Sequence, residues 1–342
     1  MKACIFILGV LMALAGSAAG EAPRTAPYPP SDAIASIDFA ATSTITRRAI
    51  GSDNWPVTWA DDDALYTSYG DGWGFEPKIG TKLSQGFAKM LGVPPDFRAI
   101  NIRSETGERR GDGKAGPKAS GLVMVDGVLY MWVRNTGNAT LAWSGDHARR
   151  WEWGFRFTES FSCPAFLNFG RNYAGARDEY VYTYSPDGPS AYEPYDHVIL
   201  ARVPKGEVRR REAYEFFAGM NEKGEPAWAS DLAARRPVFT SPGACHRIEV
   251  VYHPALKRYL MLLAMNHASA WGIFDAPEPW GPWTTAFHTA RWDIPGTHGY
   301  RLPTKWLSED GRRAFLAFSG VAAEGYDAFC VREMRITPRL KK

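Results

Sequence analysis

The stretch SDNWPVTWADDDALYTSYGDGWGF, Ser52 to Phe75, reads as two short strands joined by a turn. Trp55 to Ala60 is extended and aromatic-rich, Asp61, Asp62 and Asp63 turn the chain, and Ala64 to Tyr69 is extended again. Val, Thr, Tyr and Trp suit a pleated surface, whereas Asp and Gly suit turns. An acid stands at each outer end, Asp53 before the first strand and Asp71 after the second. Antiparallel pairing of the strands brings both acids to one edge. Two carboxylates at one edge are what glycosidic cleavage requires, one as general acid and one as base or nucleophile. Asp53 reads as the base and Asp71 as the acid. Gly70, Gly72 and Gly74 are expected to leave room for a substrate. The plainer reading is an Asx-turn at Asp53 and a turn start at Asp71.

The same hairpin device recurs along the chain. It returns in Ala119 to Asn135, Pro164 to Gly188, Ile248 to Asn266 and Leu302 to Gly320. Second strands begin near Leu65, Leu129, Tyr180, Tyr259 and Phe315. Such repetition predicts an all-β, five-bladed β-propeller forming a single domain over residues 36–342. A β-sandwich also gives many short strands, but it does not account for the repeated unit. Two short helices are expected, over Lys82 to Leu91 and Arg211 to Gly219. Ser144 to Trp151 has the spacing of the Asp-box turn of sialidase-like propellers, which gives Asp146 a structural role. The Gly-rich loop Ser104 to Pro117 is long enough to border a site.

Residues 1–20 read as a signal peptide: Lys2, an apolar run from Ile5 to Leu14, then small residues at Ser17, Ala18 and Ala19. That run is too short for a membrane span. Residues 21–35 read as a flexible linker, and the mature chain as exported, periplasmic or extracellular. Losing Lys2 lowers the formal net charge from +3 to +2, too near neutral for a nucleic-acid partner. Cys163, Cys245 and Cys330 remain, allowing at most one disulfide, and no spacing fits a metal centre. The sequence therefore implies no metal and no cofactor. Three carboxylates at Asp61 to Asp63 can bind calcium, but a solvated turn is the first reading. No nucleophile elbow, phosphate loop or dinucleotide fingerprint occurs.

In a propeller the innermost strands gather their starts around a channel. That places Asp53 and Asn54, Lys118, Ser162 and Cys163, His246 and Arg247, and His298 with Tyr300 in one ring. Lys305 is grouped with the last pair. Such a ring suits a hydroxyl-rich or anionic ligand. Trp55 and Trp73, beside the acids, are candidate sugar-stacking platforms. The remaining Trp residues are assigned to packing. Two alternatives stand beside hydrolysis. One is a non-catalytic glycan-binding module; the other is a polysaccharide lyase using His246 or Tyr300 to remove a proton beside a uronic carboxyl.

The stretch Asp53 to Phe75, the Asp-box-like turn, APEPWGPW and LPTKWLSEDG together resemble an exported bacterial propeller family. That family, formerly a domain of unknown function, includes endo-D-arabinanases. The resemblance covers about Ser36 to Ile336. It implies an Asp opening the first hairpin and another in a Gly-Asp pair after its second strand, positions matched by Asp53 and by Gly70-Asp71. The arabinanase branch has Thr-Asp-Leu-Gly and Gly-Asp-Thr at these places. This chain has Ser52-Asp53-Asn54-Trp55 and Gly70-Asp71-Gly72. The expectation is thus a monomeric glycoside hydrolase-like protein. Its catalytic residues are Asp53 and Asp71. Asn54, Trp55, Trp73, Lys118, His246, Arg247, His298, Tyr300 and Lys305 contact a polysaccharide or glycoconjugate.

Overall fold

The computed structural model describes residues 25–266, 269–321 and 327–340, so the expected signal peptide lies outside the described residues. The described residues are all-β, with only three-residue 3-10 turns for helix. After β1 (Ile34–Phe39) and β2 (Thr46–Arg48), an antiparallel four-stranded sheet runs through β3 (Asp53–Trp59), β4 (Leu65–Gly70), β5 (Gly86–Leu91) and β6 (Arg98–Ile102). A second comprises β7 (Lys118–Val125), β8 (Val128–Arg134), β9 (Thr140–Ser144) and β10 (Glu152–Arg156). The third set is β11 (Ala165–Asn168), β12 (Tyr180–Pro186), β13 (Tyr195–Pro204), β14 (Glu215–Met220) and β15 (Pro226–Ala229), with β16 (Pro237–Cys245) pairing β13. The fourth is β17 (Arg247–His253), β18 (Arg258–Ala264), β19 (Trp271–Ala276) and β20 (Thr284–Thr289). Strands β11 and β17 run parallel, Leu167 opposite Val250, which makes one ten-stranded sheet of these two sets. The last sheet is β21 (His298–Arg301), β22 (Arg313–Val321) and β23 (Asp327–Pro338), completed by β1 and β2 on β23.

Turn chemistry explains the hairpins. Val125 pairs with Val128 across Asp126 (φ 48°) and Gly127 (φ 77°), a two-residue loop with both residues left-handed. That geometry matches the strand twist and favours Asp-Gly. In the opening hairpin Asp63 is left-handed (φ 66°), and the Asp62 carboxylate accepts from Ala64 N at 3.0 Å. The expected second strands are β4, β8, β12, β18 and β22.

Packing between sheets is circular. The first strands of successive sets, β3, β7, β11, β17 and β21, touch in that order, and β21 touches β3 again. Apolar side chains fill each gap. Leu65 and Val57 meet Phe329 and Val331 between the first and last sheets, and Tyr66 and Phe87 meet Leu122 and Met131 between the first and second. With both faces of a sheet covered, strands read as continuous apolar runs, and every residue of β4 and β7 is buried.

Both expected helices are strands or short turns. Gly86–Leu91 is β5, paired on both sides. Gly86 lies against Tyr69, where any Cβ would sit 2.2 Å from the ring. The other is a 3-10 turn, Arg211–Ala213, followed by β14, whose Phe216 and Phe217 favour the pleated surface. The Asp-box-like turn joins β9 to β10. Asp146 accepts from Arg150 N at 2.8 Å and Ser144 Oγ from Ala148 N at 3.0 Å. Part of the expected flexible linker is anchored. The Tyr28 ring packs on Phe239 at 4.7 Å, its hydroxyl accepts from Thr240 N, and Ser31 N donates to Thr285 O.

Candidate functional site

Asp53 opens β3, and its Cα is paired with that of Gly70. Directly after it the ladder breaks: the register shifts between Asn54 and Val57, and Asn54 (φ 88°) and Trp55 (φ 57°) are both left-handed. Two consecutive such residues, one a Trp, store strain of about 1–3 kcal/mol each, and strain of this kind clusters at functional sites. Surrounding strands hold the kink. Asn54 N donates to Ser319 Oγ at 2.8 Å, and its Nδ2 donates to Ala119 O at 2.5 Å. Asn54 is thus a buried clamp between inner strands.

The Asp53 carboxylate faces His298, with Oδ2 3.6 Å from Nε2, an ion-pair contact longer than a hydrogen bond. Its buried Oδ1 has no hydrogen-bond partner. Burial opposes its charge, but His298, Arg134 and Arg247 outweigh burial and hold its pKa down at about 2. Asp327, at the start of β23, behaves oppositely. Burial raises its pKa, and the negative charges of Asp53 and Asp71 add to that against His298 and Arg247. Asp53, His298 and Asp327 each present a donor atom, all within 4.8 Å of one another. These three can hold one divalent cation, as can Asp61, Asp62 and His147 at the distant hairpin turn. Without a cation, the first three form a carboxyl pair with divergent proton affinities.

Asp71 follows β4 with φ 44°. Its Oδ1 lies 2.9 Å from Lys118 Nζ, and Oδ2 accepts from Gly113 N at 3.3 Å. Lys118 is buried and also donates to Gly113 O at 2.8 Å. The Gly-rich loop therefore lies against the acids, pinned at Gly113. Gly70 and its neighbours have a different task from the expected one. A Cβ at Gly70 would meet Asp53 Oδ1 at 2.6 Å, and one at Gly72 would meet Ser52 Oγ at 2.1 Å. These glycines make room for the protein's own polar groups rather than for a substrate.

Several expected site residues sit elsewhere. Trp55 is fully buried among Tyr69, Phe75 and Phe329. Tyr300 stacks on Trp271 at 4.1 Å within the core, its hydroxyl against Thr297. Lys305 pairs with Asp63 at 2.7 Å, at the far end of the hairpin from Asp53. Trp73 is 36% exposed beside Gly51. His246 and Arg247 are buried at the start of β17, and Arg247 acts electrostatically on Asp53. Three contributors escaped the sequence reading: Asp327, Arg134 and Tyr192. Asp327 opens a third strand, so a search of first-strand starts passes over it. Arg134 ends β8 opposite Lys118, a pairing that could have flagged it. Tyr192 comes from the β12–β13 loop and carries no local signal.

Residues 120–332 match the model of a family described as Domain of unknown function (DUF4185). No curated protein matches the chain. Among solved structures, a β-xylosidase is 15% identical with a TM-score of 0.52, over 86% of this chain and 98% of that one. A PQQ-bound aldose sugar dehydrogenase from Streptomyces coelicolor is 11% identical with a TM-score of 0.50, over 90% of this chain and 100% of that one. A GH43_1 enzyme from Xanthomonas citri is 13% identical with a TM-score of 0.48, over 87% and 93%. At such identities the likeness is one of fold. No helix among the described residues is long and apolar enough to cross a membrane.

Proposed function

The chain belongs to the DUF4185 family, and on that premise we propose that it is an exported five-bladed β-propeller that hydrolyses a polysaccharide or glycoconjugate. The circular contacts of β3, β7, β11, β17 and β21 support five blades in one domain. The observation that carries the hydrolase reading is the carboxyl pair beside His298: Asp53 held ionised, Asp327 with its proton affinity raised, donor atoms within 4.8 Å. Environments that push two carboxyl pKa values apart assign the acid and the base.

Asp327 replaces Asp71 as the proton donor in this scheme. Its proton passes to the glycosidic oxygen as the bond from that oxygen to the anomeric carbon breaks. Carboxyl oxygens within 4.8 Å of each other leave no room for a water between them, so Asp53 attacks the anomeric carbon directly. Water then cleaves the glycosyl ester, with Asp327 as base, and the anomeric configuration is retained. Asp71, paired with Lys118, adds negative charge that raises the proton affinity of Asp327. Trp73 offers the exposed stacking face, and the β-xylosidase fold likeness is consistent with a sugar ligand.

The test is a glycan panel followed by product analysis. Asp53→Asn and Asp327→Asn should each lower turnover by about 100-fold or more. Nuclear magnetic resonance should show retained configuration in the first product. Full activity in either variant would remove the pair from catalysis, and an inverted product would rule out direct attack by Asp53.

A further inference from the structure

Two arginines beside the carboxyl pair feel the charge of Asp53 but form no direct ion pair with a carboxylate among the described residues. Arg134 is 1% exposed, and its Nε and Nη1 lack hydrogen-bond partners; its Nη2 reaches Asn54 Oδ1 at 3.4 Å. Arg247 is 9% exposed, and its Nε lacks a partner. Among the described residues neither forms an ion pair with a carboxylate: Asp71 is taken by Lys118, Glu249 by Arg301, and Asp53 faces His298. Both guanidinium groups lie near the Tyr192 ring, at 5.2 and 5.8 Å from its centroid. That ring is fixed by its hydroxyl, which donates to Gly113 O at 2.8 Å.

Burying a cation without a direct ion pair is unfavourable, and burying two near a single carboxylate is more so. Repulsion is registered in Arg247, whose pKa burial and the Arg134 charge bring down to about 10. It remains a cation at neutral pH. A structural arginine would have found a carboxylate, as Arg301 does. The unused donors of the planar forks match a group with two or three anionic oxygens.

Resting on the hydrolase reading, we propose that the sugar bound beside Asp53 carries an anionic substituent, a uronate carboxylate or a sulfate ester, received by Arg134 and Arg247 under the Tyr192 ring. The ligand class is therefore an acidic glycan rather than a neutral one. Asp53 is not the receiver of these donors: its Oδ2 faces His298 and its Oδ1 has no hydrogen-bond partner.

Binding calorimetry on Asp53→Asn protein tests this without turnover. The probes are oligogalacturonate, a sulfated galactan oligosaccharide and a neutral xylo-oligosaccharide of equal length. One acidic probe should bind at least about tenfold more tightly than the neutral one. Arg134→Gln or Arg247→Gln in that background should erase the preference for the acidic probe. Whichever acidic probe binds names carboxylate or sulfate as the substituent. Equal or tighter binding of the neutral probe, or a preference surviving both substitutions, overturns the proposal. If the variants do not fold, the contrast is read on the unaltered protein by thermal shift. Galacturonate or inorganic sulfate should raise the melting temperature where galactose does not, and no shift with either anion overturns it. Cleavage of neutral glycans without acidic preference would sink the anion pocket alone. Acidic binding by a protein that cleaves nothing would sink the hydrolase reading alone.

Discussion

Asp53 and Asp327 converge on His298 from different strands, and they hold protons with opposite strength. The backbone enforces the meeting: Gly51 N donates to Asp327 O at 2.6 Å, two residues before Asp53. A third strand's first residue is thereby fastened to the backbone just ahead of a first strand.

Activity should fall on the alkaline side only. Asp53, with its pKa near 2, stays ionised down to about pH 3. Asp327 has a raised pKa, so its proton is present at low pH and lost as pH rises through that value. A plot of kcat/KM should be flat in mild acid and decline above the ordinary Asp range. Asp53's folded pKa is depressed, so its stabilisation is present above pH about 4 and lost as pH falls towards 2. Asp327's is raised, so stability declines as it ionises, and Asp327→Asn should raise the melting temperature at pH about 7. A lower melting temperature would contradict the assignment.

Lys118→Met should destabilise by about 2 kcal/mol, less than the cost of breaking a fully buried pair because the Asp71 side chain is 23% exposed. Adding Asp71→Asn should recover most of that loss. Chemical denaturation of the two variants measures it. Equal losses in single and double variants would show that the lysine matters only through packing.

Trp55 and Trp73 are three residues from their nearest acids or closer, yet should respond oppositely. Trp55→Ala should cost about 3–5 kcal/mol, the range for a fully buried Trp. Trp73→Ala should change stability by less than about 0.5 kcal/mol and weaken glycan binding about tenfold. Unchanged affinity in Trp73→Ala would remove the stacking platform.

Cys163, Cys245 and Cys330 are buried free thiols, and burial pushes Cys245 up to about 12 and Cys330 to about 11. Reducing agent should leave the melting temperature unchanged. A thiol reagent should label all three only after unfolding, and fast labelling of the folded protein would contradict this burial.

The hairpins were legible because their turns carry backbone chemistry of their own, Asp126-Gly127 above all. Asp53, Lys118, Arg247 and His298 were also legible, since each starts a first strand. Aromatic roles were not: Trp55 and Tyr300 fill core, and sequence alone cannot separate a packed ring from an open one. The helix expected at Lys82 to Leu91 shows the same limit, because pairing with β4 and β6 overrides local propensity. Asp327 and Tyr192 arrive through tertiary contacts with chain segments far away. No local pattern announces such arrivals.

Strand β1 has a consequence for how the molecule is made. Ile37 pairs with Ile336, so an early segment stays without its partner until roughly three hundred further residues exist. Closure of the ring is then the most non-local step in folding, which points to slow completion and an exposed β23 edge in the interim. A synthetic β1 peptide added during refolding should compete for that edge. The same pairing makes the join between β1 and β23 a latch that proteolysis near Ile34 could open without touching the acids.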